Sequence, residues 1–202
     1  MTWTELMGII RLDLLRNVAT LEKFSPIKRK LVFCYVFLTV INFRFIFFFR
    51  IASFLYEKTN LLYKLCFLVV NAIRKHYCYK LGIILLPKAK IGGGLFFPHF
   101  SSIIMTSHAK YGKNLTVFQQ VTIGLVFGGE KEGAPVIGNN VVISAGAKVL
   151  GNIHIGNNVM IGAGAVVVTD IPDNAVVVGN PGKIISFNGP EKVSYYIPYI
   201  NQ

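Results

Sequence analysis

The sequence predicts a mainly β protein: a parallel β-helix of about four coils over residues 83–187, an α-helical region before it (1–82) and a tail after it (188–202). Three observations carry this. An aliphatic or aromatic residue recurs at Ile91, Phe97, Ile103, Tyr111, Val117, Ile123, Ile137, Ile143, Val149, Ile155, Ile161 and Val167, in steps of six except one of eight and one of fourteen. Gly or Asn tends to follow, as in IGGG, YGKN, IGNN, LGN and IGAG. The charge also divides: residues 1–90 hold 15 Lys and Arg against 4 Asp and Glu, whereas 91–202 hold 6 against 5.

The N-terminal half reads as helical. Thr2 and Glu5 have the spacing of a capping box and start a first helix that runs to about residue 19. A turn follows at SPIKRK, then an apolar helical run over 31–58 and another over 61–75, where Lys64, Asn71 and Lys75 share one face. Mean hydropathy is +0.54 and the chain has 16 Phe. The stretch 31–49 approaches the length of a membrane span, about 20 residues, but Arg44 interrupts it and Arg50 follows. The charge and the Phe content suit helices lying in an anionic membrane surface. A true span, or a buried helical cap or oligomer contact, are the other readings. Cys34, Cys66 and Cys78 lack metal-ligand spacing and read as reduced thiols of a cytoplasmic protein, with no metal expected. The opening MTWTELMGIIRLDLLRN is charged and amphipathic, unlike a secretory leader. The expected location is therefore cytoplasmic, peripheral at the inner membrane face. The basic residues are interleaved with aliphatic residues and Phe and form no nucleic-acid motif, so no nucleic-acid partner is expected.

The period of six in the second half is neither the 3.6 of a helix nor the 2 of an exposed strand. It fits short parallel strands, one hexapeptide per face of a triangular prism, with about eighteen residues to a turn. Inward β-branched side chains fill the prism, and Gly and Asn take the positive φ of its corners. The step of eight, from Ile103 to Tyr111, places two extra residues in a bulged corner around His108. The step of fourteen, from Ile123 to Ile137, holds a loop containing LVFGGEKEGA.

The chain has four histidines as candidates for proton transfer. His76, in RKHYCYK, faces solvent or headgroups, and His154, between Ile153 and Ile155, points outward. His108, in the bulged corner, is a candidate substrate contact. His99 lies in GGGLFFPHFSS among aromatics that would desolvate an imidazole, and a neutral imidazole suits a general base for a hydroxyl. Residue type by itself favours a structural role for His99.

From about residue 84 to 185 the blocks PKAKIGGGLFFPHF, NLTVFQQVTIG and VISAGAKVLGNIHIGNNVMIGAGAVV resemble the serine acetyltransferase branch of the left-handed β-helix acyltransferases. The resemblance implies a left-handed coil, acetyl-CoA as co-substrate and His99 as the catalytic base. It also implies cofactor contacts at Gly124, Ala145, Gly146, Ala163, Gly164 and Lys183, and a substrate contact at Gln119. One face of a triangular prism can pack against copies of itself about a threefold axis, and the resemblance implies sites between subunits, so a homotrimer is expected. Four positions depart from the pattern: Pro98 replaces the acidic residue before the histidine, Ile84 the orienting aspartate, and Gly133 and Ala134 an Arg-His pair. These departures, with the basic apolar N-terminal half, resemble the sugar O-acetyltransferases of capsular and other surface polysaccharides, whose carbohydrate acceptors can be lipid-linked. The expected activity is therefore direct acetyl transfer to a sugar hydroxyl. Serine O-acetylation in cysteine biosynthesis and a non-catalytic scaffold are the alternatives.

Overall fold

The computed structural model describes residues 1–18 and 23–190. Most of the expected tail, 188–202, lies outside them, and the first helix stops at Leu15 rather than near residue 19. Helix α1 is Trp3–Leu15, with the Thr2–Glu5 capping box formed. α2 is Pro26–Thr39, α3 is Ile41–Tyr56 and α4 is Leu61–Leu81. The apolar run over 31–58 is thus two helices rather than one. They meet at Val40, which is extended (φ −99°, ψ 98°), and bend by 104°. No single helix among the described residues is long and apolar enough to cross a membrane.

The remainder is the left-handed parallel β-helix that the sequence implied. Its first face stacks β1 (Ile83–Leu85), β3 (Ile103–Met105), β6 (Thr122–Gly124), β9 (Lys148–Leu150) and β12 (Val166–Val167). The second stacks β2 (Lys90–Ile91), β4 (Lys110–Tyr111), β7 (Val136–Ile137) and β10 (His154–Ile155). The third stacks β5 (Thr116–Val117), β8 (Val142–Ile143), β11 (Met160–Ile161) and β13 (Val176–Val178), closed by the antiparallel β14 (Lys183–Ser186). The coil opens one strand earlier than the marked series, because β1 follows directly on Gly82, the left-handed cap of α4.

The register relocates the irregular step. Met105 pairs with Ile123, and Ile91 pairs with Tyr111, so the inward series runs Leu85, Ile91, Phe97, Met105, Tyr111, Val117, Ile123. The two extra residues therefore fall between Phe97 and Met105, around His99, and not around His108. Ile103 misled the reading because it too is fully buried, paired with Ile83.

The helices close the top of the prism. Phe45, Ile46 and Phe49 of α3 belong to the same apolar core as Leu95, Phe97 and the coil's stacked side chains. Asp13 of α1 and Arg50 of α3 form a buried ion pair, 2.8 Å from Nε to Oδ2. Arg50 also donates to the Ile91 and Gly92 carbonyls, and Asp13 accepts from the Gly94 and Leu95 N–H groups. Arg74 of α4 is buried too and donates to the Leu85 carbonyl at 2.6 Å. Two cations of the basic N-terminal half are thus spent on the coil's backbone. An apolar stripe remains exposed on α4 (Leu61, Leu65, Leu68, Val69) and another on α2 (Ile27, Leu31, Leu38). The free thiols of Cys34 and Cys66 are exposed beside them, and Cys78 is half-buried.

Candidate functional site

One corner of the prism, between the third and first faces, gathers most of the expected site. In the upper turn it is the enlarged loop 98–102, carrying His99. Below it come Phe118–Gln120, then Ala145–Gly146, then Ala163–Gly164. A backbone ladder locks these levels together: Gln120 N–H donates to the Ser101 carbonyl (2.9 Å), Gly146 to Gln119 (3.0 Å) and Gly164 to Ala145 (2.9 Å). Gly146 (φ 74°) and Gly164 (φ 69°) take the left-handed conformation that turns the chain there. A side chain at Gly164 would meet no atom within 4 Å, so that level of the corner has an open, smooth outer surface. At the bottom, Val166 N–H donates to the Gly179 carbonyl and Gly182 N–H to Val166, which brings the start of β14, with exposed Lys183, beneath the same corner.

The His99 loop is fixed from three directions. Asn42 of α3 donates from Nδ2 to the Phe97 carbonyl at 2.8 Å, and the Phe97 ring lies 6.1 Å from that of Phe45. Ile103 N–H donates to the Gly82 carbonyl at 2.9 Å, tying the loop's far end to the cap of α4. Ser101 and Ser102 turn it with positive φ (117° and 52°), an unfavourable conformation for residues other than glycine. His99 itself is exposed, not desolvated as its aromatic neighbours suggested, because Pro98 and the two extra residues push it out of the coil. Its ring stands 6.1 Å from Phe118, inclined at 50°, and no side chain among the described residues hydrogen-bonds it. Ile84, at the position of the absent aspartate, is exposed on the first face.

Gln119 supplies the corner's unsatisfied group. Its Oε1 is buried without a hydrogen-bond partner, while its main-chain oxygen holds Gly146. A buried acceptor left bare costs about 1–3 kcal/mol.

The structure does not bring all the predicted residues together. Gly124 ends β6 at the opposite edge of the first face, with its carbonyl accepting from Gly151. His108 is exposed at the regular corner after β3, its Nδ1 3.3 Å from the Thr106 hydroxyl, a face's width from His99. His154 points outward and His76 is exposed beside Tyr77, as expected. The long loop forms a hairpin in which Val126 and Gly133 exchange backbone hydrogen bonds, and Phe127, next to that pair, is 84% exposed. Gly133 and Ala134 sit at its base. Sequence reasoning missed Asn42 and Phe118. A lone Asn among phenylalanines was the available signal for the first, and Phe118 had none.

Comparison with known proteins gives a consistent picture. The family described as bacterial transferase hexapeptide (six repeats) matches residues 134–169. A serine acetyltransferase of Bacillus licheniformis is 37% identical over 142 residues, covering 69% of this chain and 62% of that protein. One of Staphylococcus aureus is 36% identical over 125 residues, 61% of this chain and 58% of that protein. The chain thus spans about three-fifths of the length of these relatives. Among solved structures, the serine acetyltransferase of Brucella abortus in complex with coenzyme A superposes with TM-score 0.71 at 26% identity, over 91% of this chain and 69% of that one. That of Neisseria gonorrhoeae in complex with serine gives 0.70 at 29%, over 91% and 70%. Residues 134–169 of the coil therefore match a transferase hexapeptide repeat. The carbohydrate-acceptor expectation is corrected: these similarities lead to serine acetyltransferases, not to enzymes of polysaccharide assembly. Missing charged side chains at Ile84, Pro98, Gly133 and Ala134 exclude particular ion pairs. They contain nothing that binds a sugar.

Proposed function

We propose that this chain is an acetyl-CoA-dependent O-acetyltransferase whose acceptor is the hydroxyl of serine. The observation that carries the reading is the single corner on which His99, Gln119, Ala145–Gly146 and Ala163–Gly164 stack under one backbone ladder. Its smooth lower levels suit a pantetheine arm lying along the coil, with Lys183 below for the anionic nucleotide end. Gln119 Oε1 accepts an N–H from that arm, and the thioester lies beside His99. The imidazole takes the hydroxyl proton as the serine oxygen attacks the acetyl carbon. The tetrahedral oxyanion collapses, the C–S bond breaks, and CoA leaves as a thiolate that recovers the proton. Backbone N–H groups of the corner are the donors for the oxyanion. Cys34 and Cys66 lie exposed on α2 and α4, and the half-buried Cys78 thiol, pushed up by burial, is bonded by Arg74, so none serves as an acyl relay and transfer is direct.

The test is CoA release from acetyl-CoA with serine. His99→Ala is expected to lower kcat by about 10²–10⁴-fold with the coil's circular dichroism unchanged. Undiminished turnover in the mutant would remove His99 from the mechanism, and no turnover with serine would remove the acceptor. Three further readings belong to this proposal. A trimer would set each corner against a neighbouring copy, and sedimentation equilibrium reads it directly. Gly124 and the 125–134 hairpin would then face a groove formed with that copy. The apolar stripes of α2 and α4, with the net positive charge of residues 1–90, support peripheral placement at the cytoplasmic membrane face. Co-sedimentation with anionic but not neutral vesicles is its test.

A further inference from the structure

A groove of about 530 Å³ runs along the outside of the first face, immediately beside the His99 loop. Its floor is Ile84 and Ile104, neighbours in register on β1 and β3, with Leu86 beyond them. These three side chains are 57%, 43% and 45% exposed, which is much apolar surface for an outward face. The last turns of α4 form one wall through Cys78 and Tyr79, and Ser102 closes the end next to His99.

The polar groups at its edge are largely committed elsewhere. The Arg74 guanidinium donates to the Leu85 carbonyl, to Asn71 Oδ1 (2.9 Å) and to Cys78 Sγ (3.1 Å). Burial pushes the Cys78 thiol up, against the opposing charge of Arg74, so it stays neutral. What remains is an aliphatic channel in the size range of ligand pockets, with Lys75 at its rim.

We propose that this groove is a subsite for the acyl chain of the donor, and that the protein accepts aliphatic acyl-CoA thioesters longer than acetyl. The inference rests on the transferase reading above. If the pantetheine arm climbs the corner from Gly164 to His99, the acyl carbon arrives at the loop 98–102. The chain beyond that carbon then points away from the arm, past Ser102, onto Ile104 and Ile84. Ile84 has a definite consequence here: a carboxylate at that position would face the chain, whereas isoleucine gives it an apolar floor. Each methylene removed from water there contributes roughly fourfold in affinity at most.

The experiment compares acetyl-, butyryl-, hexanoyl- and octanoyl-CoA with serine as acceptor, by CoA release and by calorimetric affinity for each thioester. The chains are wild type, Ile104→Ala and Ile104→Glu. Hexanoyl-CoA is expected to bind wild type at least tenfold more tightly than acetyl-CoA and to turn over with a kcat/KM no lower. Ile104→Glu is expected to abolish that preference while leaving acetyl-CoA within about threefold, and Ile104→Ala to reduce it. Equal affinities for the two thioesters in wild type, or equal losses for both in the variants, would overturn the proposal. If acetyl-CoA turns over but hexanoyl-CoA is neither bound nor used, the groove proposal falls and the transferase reading stands. If no thioester binds at all, both fall. Should Ile104→Glu fail to fold, Ile104→Ala and the wild-type affinity series decide alone.

Discussion

Asp13 and Arg50 are two residues 37 apart in sequence that meet in a buried, bidentate contact and reach the first coil turn from opposite sides. Desolvating both charges is tolerable because each has further partners, carbonyls for the guanidinium and N–H groups for the carboxylate. Removing one partner leaves the other buried and bare. Arg50→Ala is therefore expected to lower stability by about 3–5 kcal/mol, read as the urea midpoint at unchanged m. Gln119 is the opposite case, since its Oε1 is already bare. Gln119→Leu removes an unsatisfied acceptor, so stability is expected to hold or rise while KM for acetyl-CoA increases about tenfold. A fall in stability without a change in KM would assign Gln119 to the fold instead of the donor site.

The elements are short and owe their stability to stacking. Each strand has two to four residues, so corners decide where the coil goes. At the corner between the second and third faces, Asn114, Asn140, Asn158 and Asn174 all adopt positive φ and pass a side-chain hydrogen bond down the stack. Next to them the turns approach so closely that a Cβ on Gly138 would lie 2.6 Å from the Gly156 carbonyl oxygen. Gly164, at the site corner, has positive φ and open space. Gly164→Ala is expected to cost about 1–2 kcal/mol from backbone strain, and Gly138→Ala clearly more, because there the backbone itself must move. Thermal melts of the two variants make the comparison. The first helix adds a pH dependence. A backbone hydrogen bond from Thr2 holds the Glu5 carboxyl below its ordinary range, so its capping contribution is present at neutral pH and lost as pH falls through that lowered value. Amide exchange in the first turn of α1 reports it.

Taken whole, the molecule is a solenoid whose top end is capped by helices, and the cap also positions the chemistry. α3 supplies Phe45 and Phe49 to the core and Asn42 to the Phe97 carbonyl, two residues before His99. Phe49→Ala is expected to cost about 3–5 kcal/mol, and by loosening the first turn to lower kcat more than it raises KM for acetyl-CoA. Steady-state kinetics together with a urea melt separate the two effects. The same architecture explains the division of charge. The prism buries aliphatic side chains and needs few ions, while the helical half carries cations of which Arg50 and Arg74 bind the coil's backbone and buried Arg16 the Thr116 hydroxyl, and others stay on the surface.

The coil and its triangular section were legible because a six-residue period fixes which side chains point inward, whereas the candidate residues of the site corner came from the family resemblance and not from the period. The capping box of α1 was legible from local spacing as well. Tertiary structure decided the rest. Ile103 and Met105 are both apolar and both buried, and only strand pairing shows that Met105 holds the stacked position, which moves the enlarged corner to His99. A phenylalanine-rich helix reads alike whether it faces lipid or plugs a prism, and only packing against Leu95 and Phe97 identifies the plug. The groove over Ile84 and Ile104 likewise depends on where α4 ends relative to β1 and β3, a distance that no pattern along one chain encodes.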